Sequence, residues 1–190
     1  MTPAAGPGAA GHPLPGWLPA ALRSVRYDGA RHPGSPAVAA RPGAEYGANC
    51  QLYAAAVLAR HGLGLPALRS AELWADTGAT HRVPAASPLD VLFFGPTEDA
   101  WGAHLGIWVG DDRILHLCKE VGHPAVWTPA DFARRERYRV LIGVKRVLPA
   151  PGSPAPACHA PGARQARPGP AVSGARETGP EPVPPGAGPG

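Results

Sequence analysis

Proline and glycine crowd the two ends of this 190-residue chain, and their distribution limits how much of it can fold. Beyond Ala150 the sequence runs PGSPAPACHAPGARQARPGPAVSGARETGPEPVPPGAGPG, with too few apolar side chains to bury a surface that offsets the entropy lost on ordering. The first dozen residues read the same way. These patterns predict disordered segments over 1–12 and 150–190, and one folded domain over 13–149. Cys158 and His159 fall in the tail, where nothing positions them for catalysis.

The formal charge of +4 comes from scattered arginines, with no run of five or six basic residues and no interleaving of basic and aromatic side chains. A nucleic-acid partner is not expected. The opening residues MTPAAGPGAAGHPLP lack the cationic start and apolar run of a secretory signal. No apolar stretch approaches the roughly eighteen residues of a membrane span. The expectation is a cytoplasmic monomer without a membrane partner. The three cysteines, Cys50, Cys118 and Cys158, are odd in number and have no C-x-x-C spacing, which argues against a disulfide framework or a ribbon-type zinc site.

Within the central segment, Trp17, Leu18, Leu22 and Val25 fall at helical spacing, and a Gly/Pro-rich loop follows to about Gly47. CQLYAAAVLARHGLG has the Ala and Leu content of a helix, with Asn49 as its N-cap and Gly62–Gly64 as its stop. Ser70 to Asp76 reads as another short helical stretch. Past residue 80 the chain turns to β-type runs: DVLFFG, AHLGIWVG, RILHLC, AVWT and RYRVLIGVKRV, with a helix start at Thr128-Pro129-Ala130-Asp131 before the last. Helices first and a strand meander afterwards describe an α+β domain, with helices packed on a small antiparallel sheet.

AHLGIWVGDDRILHLC reads as a tight hairpin. Strand alternation places His104, Gly106 and Trp108 on one side, and Ile114, His116 and Cys118 share a side of the return strand. With Gly110-Asp111-Asp112 as a three-residue loop, Val109 pairs with Arg113, and His116 lies diagonally across from His104 on the same face. A two-residue loop would invert that relation. The cysteine at a predicted helix N-terminus is Cys50, where the helix dipole and free backbone N–H groups favour thiolate and can hold an oxyanion. Nucleophile, base and orienting group then come from Cys50, His104 and His116. Zinc held by His104, His116, Cys118 and Cys50 is the metal alternative. The thiol reading needs neither metal nor cofactor.

The arrangement resembles the NlpC-type papain-like cysteine hydrolases. The resemblance rests on Asn49-Cys50-Gln51-Leu52, Asp90-Val91-Leu92-Phe93-Phe94, His104-Leu105-Gly106-Ile107-Trp108-Val109-Gly110 and Ile114-Leu115-His116, over roughly residues 45–120. It implies a papain-like NlpC-type fold and hydrolysis of an amide in a peptidoglycan-type stem peptide or related small peptide, through a Cys50-His104-His116 triad and a thioester. The family's usual Asp-Cys-Ser-Gly is replaced here by Asn-Cys-Gln-Leu, which puts the substrate class in question. The family's tyrosine ahead of the nucleophile would correspond to Tyr46, and Trp101 beside the base is the second candidate cleft residue. Acyl transfer to a non-wall substrate and an inactive peptide-binding module are the alternatives.

Overall fold

The computed structural model describes residues 12–149, so the expectations for 1–11 and 150–190, including Cys158 and His159, lie outside the described residues. The chain runs through four short helices before its sheet: α1 (Ala20–Arg23), α2 (Pro36–Ala40), α3 (Cys50–Ala59) and α4 (Ser70–Ala75). Strands β1 (Thr80–Val83), β2 (Val91–Gly95), β3 (His104–Gly110), β4 (Arg113–Leu117) and β5 (Pro124–Trp127) follow, then α5 (Pro129–Ala133) and β6 (Val140–Val147). The six strands form one sheet in the order β1-β6-β2-β3-β4-β5, with antiparallel pairing throughout. This is the α+β arrangement expected from the order of helical and strand patterns.

Local chemistry accounts for the element boundaries. Asn49 caps α3 by accepting the Leu52 N–H at 2.9 Å, satisfying one of the donors a helix start leaves free. Thr128 and Asp131 cap α5 reciprocally, with Pro129 at its first position. Two elements escaped the sequence reading. α2 is a five-residue helix inside the Gly/Pro-rich loop, opened by Ser35. β1 is an edge strand whose His81 and Arg82 face solvent, so it lacks an apolar signature. β6 begins at Val140, because residues 136–138 form a 3-10 turn instead of the strand start read from RYRV.

The sheet carries a core on each face. Val91, Phe93, Leu105, Ile107, Leu115 and Leu117 pack against Tyr53, Ala54, Val57 and Leu58 of α3. Leu92, Phe94, Ile114, Cys118 and Val144 face the other way, beneath Trp127, Phe132 and Tyr138. β2 is buried along its whole length, as a central strand covered on both sides must be. His12 extends the β5 edge through a bridge to Val126.

Two buried charges tie the layers together. Asp90, at the start of β2, takes a two-pronged contact from Arg146 at 2.8 Å on each oxygen and also accepts the Ser87 N–H. Lys145 is 1% exposed, and its Nζ donates to the carbonyls of Leu73, Trp74 and Asp76, which end α4 without intrahelical partners. Lys145→Met would keep the stem but strand three acceptors. It should cost about 2–3 kcal/mol, read as a lowered urea midpoint with an unchanged slope.

Candidate active site

The β3–β4 hairpin turns on Asp111 and Asp112, both in the left-handed region at φ 51° and 52°, as a tight two-residue turn between paired Gly110 and Arg113 requires. The three-residue loop expected from sequence is therefore corrected. The inversion that a shorter loop would cause does not occur, because the register shifts between Trp108 and Gly110. The extra residue of this bulge restores Trp108↔Ile114 and Gly106↔His116, the pairs that a three-residue loop would have produced. His104 and His116 thus lie diagonally on the Phe94 face, and His104 Nε2 meets His116 Nδ1 at 3.0 Å. Gly106 makes room for this contact: a Cβ there would run into Ile114 Cγ2 and stand 3.6 Å from His116 Cβ.

Aromatic rings enclose the pair. Tyr138 lies 4.8 Å from the His104 ring, and His116 sits between Trp127 at 4.1 Å and Phe132 at 4.9 Å. Burial drives the His104 pKa down to about 3, with the Arg137 charge adding to the effect. Burial also takes His116 well below the ordinary histidine range, aided by His104 and Arg135. Both rings are neutral at pH 7. Their shared contact then needs one N–H and one lone pair, and His116 Nε2, buried without a hydrogen-bond partner, decides which ring supplies which. An N–H is tolerated against the negative faces of Trp127 and Phe132, whereas a lone pair is repelled. With the proton of His104 on Nε2, that atom donates to His116 Nδ1 and His104 Nδ1 is left as an acceptor.

Cys50 opens α3, whose side chains pack on the opposite face of the sheet, and its thiol lies in reach of the Leu105 N–H on β3. Burial pushes the thiol up, while N–H groups of Leu105, Gln51 and Cys50 itself pull it back down. The thiolate expected from the helix terminus alone is thus overridden by desolvation. Cys50 rests as a thiol.

The loop before α3 is held by Arg31. This guanidinium is 6% exposed and donates only to main-chain carbonyls: Gly47 at 2.7 Å, Ala37 at 2.8 Å, Arg41 at 2.6 Å and Gly43 at 2.9 Å. Its own carbonyl accepts the Asn49 N–H at 2.9 Å, so the clamp ends on the residue that caps α3. Gln51 points inward, bonded to Asn49 and to the Leu68 carbonyl.

His104 and His116 meet directly, and the Cys50 thiol reaches the Leu105 N–H next to His104; Tyr46 and Trp101 are largely exposed. Tyr46 is 52% exposed on a 3-10 turn, with the Arg31 and Arg41 guanidinium groups 5.8 and 5.1 Å from its ring. Trp101 is 78% exposed on the loop into β3, with its N–H on Asp99. The tyrosine beside the thiol is Tyr27, which bridges Ala48, and its hydroxyl pKa is raised by burial and by Cys50. It was missed because it lies farther along the chain from Cys50 than Tyr46; the one signal available was that it is the only other tyrosine ahead of Cys50. Among the described residues no group of three or more His, Cys, Asp or Glu is arranged to hold a metal ion, so Cys50, His104, His116 and Cys118 do not form the zinc cluster considered above. No helix among these residues is long and apolar enough to cross a membrane. Two surface cavities, of about 530 and 420 Å³, are lined by residues other than Cys50 and His104.

No protein-family model matches the chain, and no curated protein matches its sequence. Among solved structures, an NlpC/P60 family protein from Bacillus cereus ATCC 10987 is similar at 19% identity and a TM-score of 0.42, over 55% of this chain and 33% of that one. The NlpC/p60 domain of the peptidoglycan hydrolase SagA is similar at 22% identity and a TM-score of 0.36, over 47% of this chain and 74% of that one. The chain spans about a third of the length of the Bacillus cereus protein.

The buried neutral pair makes stability pH-dependent. Unfolding returns each imidazole to its ordinary pKa of 6.5, so below that pH the unfolded chain binds more protons than the folded one and stability falls. His104 contributes up to about 1.4 kcal/mol per pH unit between 6.5 and about 3, and His116 acts in the same direction. The thermal midpoint should drop from pH 7 to pH 5, with a flatter dependence in His104→Gln. Equal slopes for both proteins would refute the assignment.

Proposed function

We propose that the protein is a cysteine hydrolase that cleaves an amide bond, with a peptidoglycan-type stem peptide or a related small peptide as substrate. The reading is supported by a first-turn helix thiol that reaches the Leu105 N–H, next in the chain to His104, and by the neutral, mutually bonded imidazoles of His104 and His116. In the first step Cys50 Sγ attacks the scissile carbonyl carbon while its proton passes to His104 Nδ1. His116 holds His104 through Nε2, keeping Nδ1 available and stabilising the imidazolium as it forms.

The tetrahedral oxyanion has donors in reach. Asn49 occupies the Leu52 N–H, leaving the N–H groups of Cys50 and Gln51 at the helix start, close enough to act on the sulfur. Collapse breaks the C–N bond, and the leaving amine takes the proton from His104. Water then attacks the thioester as His104 accepts its proton, releasing the acid and returning the thiol. Since the resting pair is uncharged, proton transfer accompanies attack and no thiolate–imidazolium pair waits for substrate.

Incubation of the purified protein with defined muropeptides and with ordinary L-peptides, followed by mass spectrometry, tests the reading. Cys50→Ala should abolish product formation with a nearly unchanged thermal midpoint, and His104→Gln should lower kcat by about 10²–10⁴-fold. Full activity in Cys50→Ala would exclude the mechanism.

A further inference from the structure

Asn49 and Gln51, 8% and 4% exposed, join in a chain of three hydrogen bonds at the start of α3. Asn49 Oδ1 accepts the Leu52 N–H at 2.9 Å, Asn49 Nδ2 donates to Gln51 Oε1 at 3.3 Å, and Gln51 Nε2 donates to the Leu68 carbonyl at 3.1 Å. The two ends are main-chain groups of fixed polarity, a donor at Leu52 and an acceptor at Leu68. Turning either amide over sets N–H against N–H and oxygen against oxygen, so one orientation of each satisfies the whole chain. Both side chains are buried, where a lost partner is costly because water does not replace it.

We infer that Gln51 is a positioning residue: its side chain steers the Asn49 cap onto the Leu52 N–H and so keeps the Gln51 N–H open to the Cys50 sulfur. An N-cap side chain accepts from the second or the third residue of its helix, which here are Gln51 and Leu52. Without a partner for Nδ2, the Asn49 oxygen would be shared between them. The bond to Gln51 Oε1 holds the amide in the orientation that meets Leu52, and the Leu68 carbonyl anchors Gln51 in turn. The inference concerns the reactivity of the thiol and does not require the hydrolase reading.

What this steering protects is a set of main-chain donors. Burial raises the Cys50 thiol, and the N–H groups of Leu105, Gln51 and Cys50 draw it back. Side chains do not take over that task at pH 7. Tyr27 on the preceding loop and Tyr138 on the 3-10 turn hold their protons, and Cys118 after β4 rests as a thiol. His104, next in the chain to Leu105, is neutral. A thiolate on Cys50 therefore leans on the N–H groups, and a cap that swung from Leu52 to Gln51 would remove one of them.

The test follows iodoacetamide labelling of the full chain against pH, with peptide mass spectrometry separating Cys50 from Cys118 and Cys158. The readout is the midpoint of the Cys50 profile, since the intrinsic nucleophilicity of a thiolate itself varies with its pKa. Gln51→Leu should raise that midpoint by about half to one pH unit, a loss of about 3- to 10-fold in thiolate at pH 7. Amide hydrogen exchange reads the cap directly: the Leu52 N–H should be better protected than that of Gln51 in the wild type, and Gln51→Leu should reverse the order. In Asn49→Ser, whose hydroxyl caps without an amide to orient, adding Gln51→Leu should leave the midpoint where it is. A Gln51 that acts on stability alone would lower the thermal midpoint in Gln51→Leu without moving the Cys50 profile, and that result overturns the inference. An equal shift in the Asn49 and Asn49→Ser backgrounds does so too. Should Gln51→Leu fail to fold, Gln51→Met is read in the same way, and the wild-type exchange order decides by itself: a Gln51 N–H better protected than that of Leu52 rejects the steering. Peptide cleavage enters none of these measurements, so failure of the hydrolase reading and failure of this inference are told apart.

Discussion

A one-residue bulge keeps two imidazoles on the same side of a sheet, and the chemistry of the site depends on it. The Asp111-Asp112 turn is tight, and on a regular ladder it would send His104 and His116 to opposite faces. The added residue between Trp108 and Gly110 absorbs that offset close to the turn, leaving the far end of the hairpin in the register that joins the rings. Gly106 then supplies the lateral space and the Trp127-Phe132-Tyr138 cluster the cover. Turn geometry, backbone irregularity and aromatic packing converge on one 3.0 Å contact.

Burying that contact has an energetic consequence that runs through the site. Desolvation favours neutral forms, so it lowers both histidines and raises the thiol together. Helix-terminal N–H groups oppose the rise at Cys50 without reversing it. The resting histidine pair and thiol are therefore all uncharged.

The α+β order, the start of α3 at Asn49 and the face shared by the histidines were legible because each has a short-range cause: a capping residue, an apolar period, a count of positions along a strand. The hairpin register was reached through a loop of the wrong length, since a bulge leaves no mark in WVGDD that separates it from a longer turn. β1 was invisible because its only strand partner is β6, roughly sixty residues on, and Lys145 gave no hint that it would end buried on α4 carbonyls. Tyr27 joined the site through a bridge to Ala48 that no local pattern announces. The charge state of Cys50 was misjudged because a helix terminus can be read from sequence and desolvation cannot.

Arg31 carries a different kind of consequence. Its guanidinium is satisfied wholly by carbonyl oxygens of residues 37, 41, 43 and 47, an atom every amino acid provides. The side chains of Ala37 and Arg41 are therefore irrelevant to how firmly the approach to Cys50 is anchored, whereas Gly43 and Gly47, at φ 106° and 103°, hold a backbone that other residues rarely adopt. The backbone path of this segment depends on a few residues only, one buried guanidinium and the glycines that let the chain turn around it, and tolerates exchange of the side chains between them.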